Sequence, residues 1–197
     1  MKPLFLGLAF LAGTTLQAKA QRPGVSIERI EIEYQGKTVK ARCLRVQSEI
    51  PMPAGQVWAN VQTPALLQFV AKGMIRFKPE AGGFPPKWEA GETYRTKMRI
   101  WGFIPFGGTH HLSVERIEQD SFSISTHEWD RRAKVWKHEV ALQDLGEGRT
   151  RYEDRIIIYG GRLTGLITAF AKRFYIHRQK RWQLVAERRM DFTKQSG

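Results

Sequence analysis

The sequence predicts an α+β protein: a curved antiparallel β-sheet wrapped around a long C-terminal α-helix, with two short helices after the first core strand. Three observations predict it. Runs of alternating apolar and polar residues, broken by short turns, fill residues 74–160. Two short helical patterns come before them. The segment 161–190 keeps one amphipathic helical period.

The elements follow in order. "IERIEIEYQGKTVKARCLRVQSEI" alternates around a Gln35-Gly36 turn and reads as a hairpin ending near Ile50. "PMPAGQVWANVQ" carries Pro53 at a first turn, with Val57, Trp58 and Val61 at helical spacing. "TPALLQFVAKG" has Thr63 as N-cap, Pro64 at the first position and Gly73 as the stop. "MIRFKP", "ETYRTKMRIW", "THHLSVERIE", "SFSISTHEWD", "AKVWKHEVALQ" and "RTRYEDRIIIYG" are six strands. "AGGFPPKWEAG" and "GFIPFGG" are loops, "GRLTGLITAFAKRFYIHRQKRWQLVAERRM" is the long helix, and "DFTKQSG" is a frayed tail.

The 197 residues suit one domain, and 42% hydrophobic content suffices for a core. Thirty-two Lys and Arg against 19 Asp and Glu give a net charge of +13, which favours anionic partners. Residues 1–20 have Lys2, an apolar stretch from Leu4 to Ala12, and Ala18-Lys19-Ala20. That is the layout of a signal peptide cleaved before Gln21, and it predicts an exported protein, periplasmic or secreted; a mis-assigned start would make it cytoplasmic. Residues 21–41 read as a linker plus an additional strand, 42–190 as the main domain and 191–197 as the tail. The single cysteine, Cys43, excludes an internal disulfide and a thiolate metal cluster.

Several stretches together resemble a known superfamily. These are "SEIPMPAGQVWANVQTPALLQFVAKGM", "WEAGETYRTKMRIWGFIPFGGTHHLSVERIE", and "WKHEVALQDLGEGRTRYEDRIIIYGG" followed by "FYIHRQKRW". Their pattern and order resemble the helix-grip fold of the SRPBCC superfamily: START lipid-transfer domains, polyketide cyclases and plant pollen allergens. The resemblance covers residues 42–190 and implies the fold. Because members include both carriers and cyclases, it does not select a chemistry.

Projecting the last helix from Phe170 puts Leu163, Ile167, Phe174 and Leu184 in one stripe, with His177 and Arg181 inside it. Arg178 falls at the edge, and Lys172, Gln179, Lys180 and Gln183 fall toward solvent. Strand alternation turns Tyr94, His110, Glu128, His138, Tyr152 and Asp154 inward. Asp154 then either pins the helix through Arg178 or Arg181, or helps to orient a ligand.

The expected partner is a hydrophobic or amphipathic small molecule, a lipid included, held between sheet and helix. Its apolar wall is Met98, Leu112, Val114, Ile124, Trp136, Phe170 and Phe174, and its polar end meets Tyr94, His138, Tyr152, His177 and Arg181. The alternative is a cyclase or dehydratase with His138 or His177 as general acid/base and Asp154 orienting it. Phosphate-cradle, nucleophile-elbow and zinc-protease motifs are absent from the sequence. No cofactor or metal is expected. Basic residues spread over many elements do not predict nucleic-acid binding. The loop "GFIPFGG", with Phe103, Ile104 and Phe106 on a basic protein, suits transient contact with an anionic membrane surface; its bland role is to close a cavity mouth.

Overall fold

The computed structural model describes residues 22–194. The expected leader, residues 1–20, and the end of the tail lie outside the described residues, as does the side chain of Phe106. Strands β1 (Gly24–Tyr34) and β2 (Lys37–Ile50) form a hairpin. Helices α1 (Ala54–Val61) and α2 (Pro64–Ala71) follow. Then come β3 (Ile75–Pro79), β4 (Thr93–Ile100), β5 (Ile104–Glu118), β6 (Ser123–Trp129), β7 (Val135–Gly146) and β8 (Arg149–Tyr159). Helix α3 (Thr164–Glu187) closes the fold after a 3-10 turn at Gly161–Leu163.

All eight strands join one antiparallel sheet in the order β1-β2-β8-β7-β6-β5-β4-β3. The β2–α1–α2–β3 connection therefore runs from one side of the sheet to its far edge. Register irregularities after Lys97, Val114 and Asp144 mark bulges, the device that bends strands and lets a sheet curl. The long helix lies in the resulting concavity, against β2 and β8.

Each element obeys local chemistry. In β8, Tyr152, Asp154, Ile156 and Ile158 are buried, while the intervening residues are half-buried, as a period of two requires. Thr63 caps α2 by accepting from the Leu66 amide at 3.2 Å. Thr164 fixes the entry to α3: its hydroxyl accepts from Gly160 N at 3.0 Å and donates to Gly161 O at 2.7 Å. The helix stops where Arg189 turns to φ 49° and Met190 N donates back to Val185 O.

Two apolar clusters divide the interior. One gathers Ile50, Trp58, Val70, Val114, Tyr152 and Trp182. The other gathers Leu44, Val46, Met98, Ile156, Ile167 and Phe174. Between them, at one level of the sheet, runs a belt of buried polar residues: Thr96, His110, Glu128, His138 and Asp154, met by Arg178 and Gln179 from α3. Pairing of Thr96 with His110 and of Thr126 with His138 aligns the belt across strands.

Several expectations are corrected. Residues 104–107 are not loop but the start of β5, which leaves a turn of only Trp101–Phe103. The tail docks rather than frays: Phe192 is buried, packs on Phe69 at 5.2 Å, and its amide donates to Asn60 Oδ1 at 2.8 Å. The buried face of α3 is rotated roughly a quarter turn from the projected stripe. It consists of Ile167, Ala171, Phe174, Tyr175, Arg178, Gln179, Trp182 and Val185. Leu163 is exposed, and Gln179, expected in solvent, has no exposure at all. The projection followed apolarity, but on this face an arginine and a glutamine find partners inside.

Gly160 joins β8 to the helix where no side chain fits. A Cβ there would stand 2.4 Å from Ile167 Cδ1 and 2.8 Å from the Arg132 carbonyl oxygen. Gly160→Ala should cost about 1–3 kcal/mol by overpacking, measured by chemical denaturation. Ile167→Ala in the same chain should recover only part of it, because the backbone carbonyl remains.

Candidate functional site

The site is a cavity between the sheet and α3, walled by both apolar clusters and crossed by the polar belt. Its lining includes Met98, Leu112, Trp136, Tyr152, Phe170 and Phe174, with His110, Thr126, Glu128, Asp130, His138 and Arg178 as the polar part. It offers about 90 Å³ to the centre of a water-sized sphere. That is small beside the roughly 300–1,000 Å³ of ordinary ligand pockets, and it suits a compact molecule.

The polar wall is a chain of alternating carboxylates and imidazoles. Asp130 Oδ1 accepts from the Arg132 and Ala133 amides at 2.7 and 2.8 Å, and its Oδ2 faces His110 Nδ1 at 3.3 Å. His110 Nε2 meets Glu128 Oε2 at 2.9 Å, and Thr126 donates to Glu128 Oε1 at 2.9 Å. His138 Nδ1 lies 4.0 Å from that same Oε1, too far for a hydrogen bond. His138 Nε2 meets Asp154 Oδ1 at 2.8 Å. Asp154 also accepts from Tyr152 at 3.3 Å and from Gln179 at 3.2 Å, with Arg178 at 3.8 Å. Gln179 simultaneously donates to Val46 O at 2.6 Å, so one side chain ties α3 to both β2 and β8.

The charges follow from these contacts. Burial opposes ionisation of Asp154, but the Arg178 guanidinium and the His138 bond outweigh it and hold the carboxyl below its usual range. Glu128 and Asp130 are likewise lowered: burial pushes them up, and His110 pulls them down further. Burial disfavours the His110 cation, yet hydrogen bonds to Asp130 and Glu128 raise it from 6.5 to about 9. Both of its ring nitrogens therefore donate. An ionised Asp154 accepts only, so His138 gives it the Nε2–H. Three carboxylates, Glu128, Asp130 and Asp154, thus lie along the wall with His110, His138 and Arg178 between them. Of this set the Glu128 side chain is the most open, at 12% exposure, and those of Asp130 and Asp154 are closed. Arg178 also lies over the rings of Tyr175 at 5.0 Å and Phe174 at 5.7 Å.

Of the residues expected at the site, Met98, Leu112, Trp136, His138, Tyr152, Phe170 and Phe174 line the cavity, and Asp154 stands behind His138. The others do not line it. Val114 and Ile124 belong to the apolar core beneath. Tyr94 packs on Trp88 and accepts from Glu89 N. His177 bonds the Lys72 carbonyl at 2.9 Å, and Arg181 donates to Phe69 O at 2.7 Å while its guanidinium covers the Phe69 ring. Both fasten the end of α2 to α3 by satisfying its last carbonyls. Alternation had turned His110 and Glu128 inward, and Asp130, two residues after Glu128, follows by the same rule. Arg178, expected at the edge of the stripe as one possible partner of Asp154, is that partner at 3.8 Å and also lines the cavity; Tyr175 was missed with the rotation of the helix. Among the described residues no group of three or more His, Cys, Asp or Glu is placed to hold a metal ion.

No protein-family model matches the chain, and no curated protein matches it. Solved structures do. The Zhui aromatase/cyclase from Streptomyces sp. R1128 is 13% identical, with a TM-score of 0.58 over 76% of this chain and 95% of that one. A START superfamily protein from Mycobacterium smegmatis is 12% identical, with a TM-score of 0.55 over 75% and 99%. Norcoclaurine synthase from Thalictrum flavum, in complex with dopamine and hydroxybenzaldehyde, is 9% identical, with a TM-score of 0.52 over 95% and 98%. At these identities the likeness establishes the fold: helix-grip, as in START domains and cyclases.

The His110 linkage has a defined sign. A group whose pKa rises from 6.5 to about 9 on folding adds stability in full below about 6.5 and loses it as pH climbs through about 9. The pair's contribution is up to about 3 kcal/mol. The lowered carboxylates act in the opposite sense, and their share is lost in acid. Unfolding free energy should fall between pH 6.5 and 9.5, and His110→Gln should flatten that slope.

Proposed function

We propose that this helix-grip chain is a small-molecule-binding protein whose ligand is compact, mostly apolar, and carries a cationic or hydrogen-donating end. The observation behind this reading is the polar belt. Glu128, Asp130 and Asp154 put three carboxylates along it, and its most open member is Glu128. A ligand ammonium or hydroxyl near Glu128 Oε1 and His138 Nδ1 would bridge the 4.0 Å between them. An anionic end would meet like charge in a low-dielectric wall. The apolar walls from both clusters supply the driving force. The volume favours a ring-sized molecule over long acyl chains. Norcoclaurine synthase, solved with dopamine, shows that this fold accommodates an aromatic amine elsewhere. The leader read in residues 1–20 adds the proposal that binding takes place outside the cytoplasm.

A second reading has one specific observation in its favour. The His138–Asp154 pair is a hydrogen-bonded dyad whose imidazole lines the cavity. It is the arrangement a general acid/base requires. Under that reading His138→Gln stops turnover of a polyketide-like substrate while its binding persists. Joint loss of both speaks for binding alone.

Phenethylamine, 3-phenylpropionate and propylbenzene present one ring with a cationic, anionic or apolar end. Titrated against the fluorescence of Trp136 at the cavity wall, phenethylamine should bind at least about tenfold tighter than the acid, a difference of about 1.4 kcal/mol. Glu128→Gln should erase that preference and leave propylbenzene unaffected. Phe170→Arg, at a half-buried wall position, should abolish all three without unfolding the protein. Tighter binding of the acid would overturn the reading.

A further inference from the structure

Five of the six large hydrophobic side chains exposed among the described residues lie at one end of the molecule. Trp101, Phe103 and Ile104 are 59%, 67% and 41% exposed at the β4–β5 turn. Leu163 and Leu166, at 43% and 71%, open α3. The turn is tight: Trp101 and Gly102 both take positive φ, 51° and 81°, so the aromatic side chains stand at its apex.

The two apolar groups border shared ground. One shallow depression is lined by Pro105 and Gly108 of β5, by Arg131, Arg132 and Lys134 of the β6–β7 connection, and by residues 160–163. On the other flank of the turn, Trp101 and Gly102 line a second depression with Lys72 and Arg76. No acidic residue lines either one. Ile100, Ala133 and Phe170 carry the inner cavity toward this same end.

We propose that this end is a docking surface for an anionic lipid bilayer, with Trp101, Phe103, Ile104, Leu163 and Leu166 entering the headgroup layer. Arg131, Arg162, Lys134, Lys72 and Arg76 face its phosphates. Indole and phenyl rings partition into the interface, and a ring of basic residues binds a negative leaflet and is screened by salt. Among the described residues no helix is long and apolar enough to cross a membrane, so the contact is peripheral. It rests on surface residues alone and stands whether or not the cavity ligand is the one proposed above.

The test is co-sedimentation of the full chain with phosphatidylcholine vesicles, with and without about 30 mol% phosphatidylserine. Binding is expected only with phosphatidylserine, weakening as salt rises, with a blue shift of Trp101 emission. Trp101→Ser combined with Phe103→Ser should lower the bound fraction at least about tenfold, and Arg131→Glu with Arg162→Glu should abolish the lipid-charge dependence. All variants keep the same N-terminal segment, so a difference reports on the tip. Circular dichroism and chemical denaturation of the same variants check that the fold is intact. Undiminished vesicle binding by the serine variant would overturn the proposal. So would failure of the intact chain to bind phosphatidylserine vesicles, as would happen if the patch served a protein partner.

Discussion

Asp154 is a carboxylate with no exposure, set in the centre of the sheet on β8, and the rest of the interior is arranged around keeping it charged. Burial alone would neutralise it. Instead Arg178 stands at 3.8 Å, His138 at 2.8 Å, Gln179 at 3.2 Å and Tyr152 at 3.3 Å. These partners come from β7, β8 and α3, so one ion fixes the angle and depth at which the helix crosses the sheet. Its loss would leave the Arg178 cation buried beside apolar rings, the situation that costs about 3–5 kcal/mol when half of a buried pair is removed.

A well-packed apolar layer at the same level would hold helix to sheet without that risk. The polar belt therefore has a second role to account for, and the cavity supplies it. His138 touches Asp154 through one nitrogen and approaches Glu128 with the other, while Glu128 is in turn held by His110 and Thr126. The wall that a ligand meets is thus locked from behind, residue by residue. Such support keeps donors and acceptors in place in an otherwise apolar pocket.

Strand alternation made most of this legible in advance. His110, Glu128, His138, Tyr152 and Asp154 each share a face with obvious core residues, and a period of two leaves no choice of side. The helix was harder. Phe170 and Leu184 suggested a face that the structure places at the edge, because Arg178 and Gln179 count as polar in any apolar projection. They are inside only because Asp154 and the Val46 carbonyl wait for them. That information sits more than a hundred residues away from Gln179 in the case of Val46. The β4–β5 turn was misjudged for a similar reason: a bulge at residues 107–108, opposite Lys97 and Met98, lets residues 104–106 pair as strand.

Composition points one way and the cavity another. The chain carries +13, yet three carboxylates, Glu128, Asp130 and Asp154, lie along its interior belt. The separation is spatial. Arg131, Arg162 and Lys134 line a depression at the apolar end, and the carboxylates lie within the cavity wall. Joined, the two proposals explain why both signs are needed. A negative bilayer concentrates cationic solutes at its surface within about 10 Å, the Debye length. On those proposals a basic, aromatic rim would bring the cavity to that layer, and a carboxylate wall would then select the cation over the lipid's own phosphate. Net charge alone would have named the surface's partner and mistaken it for the pocket's.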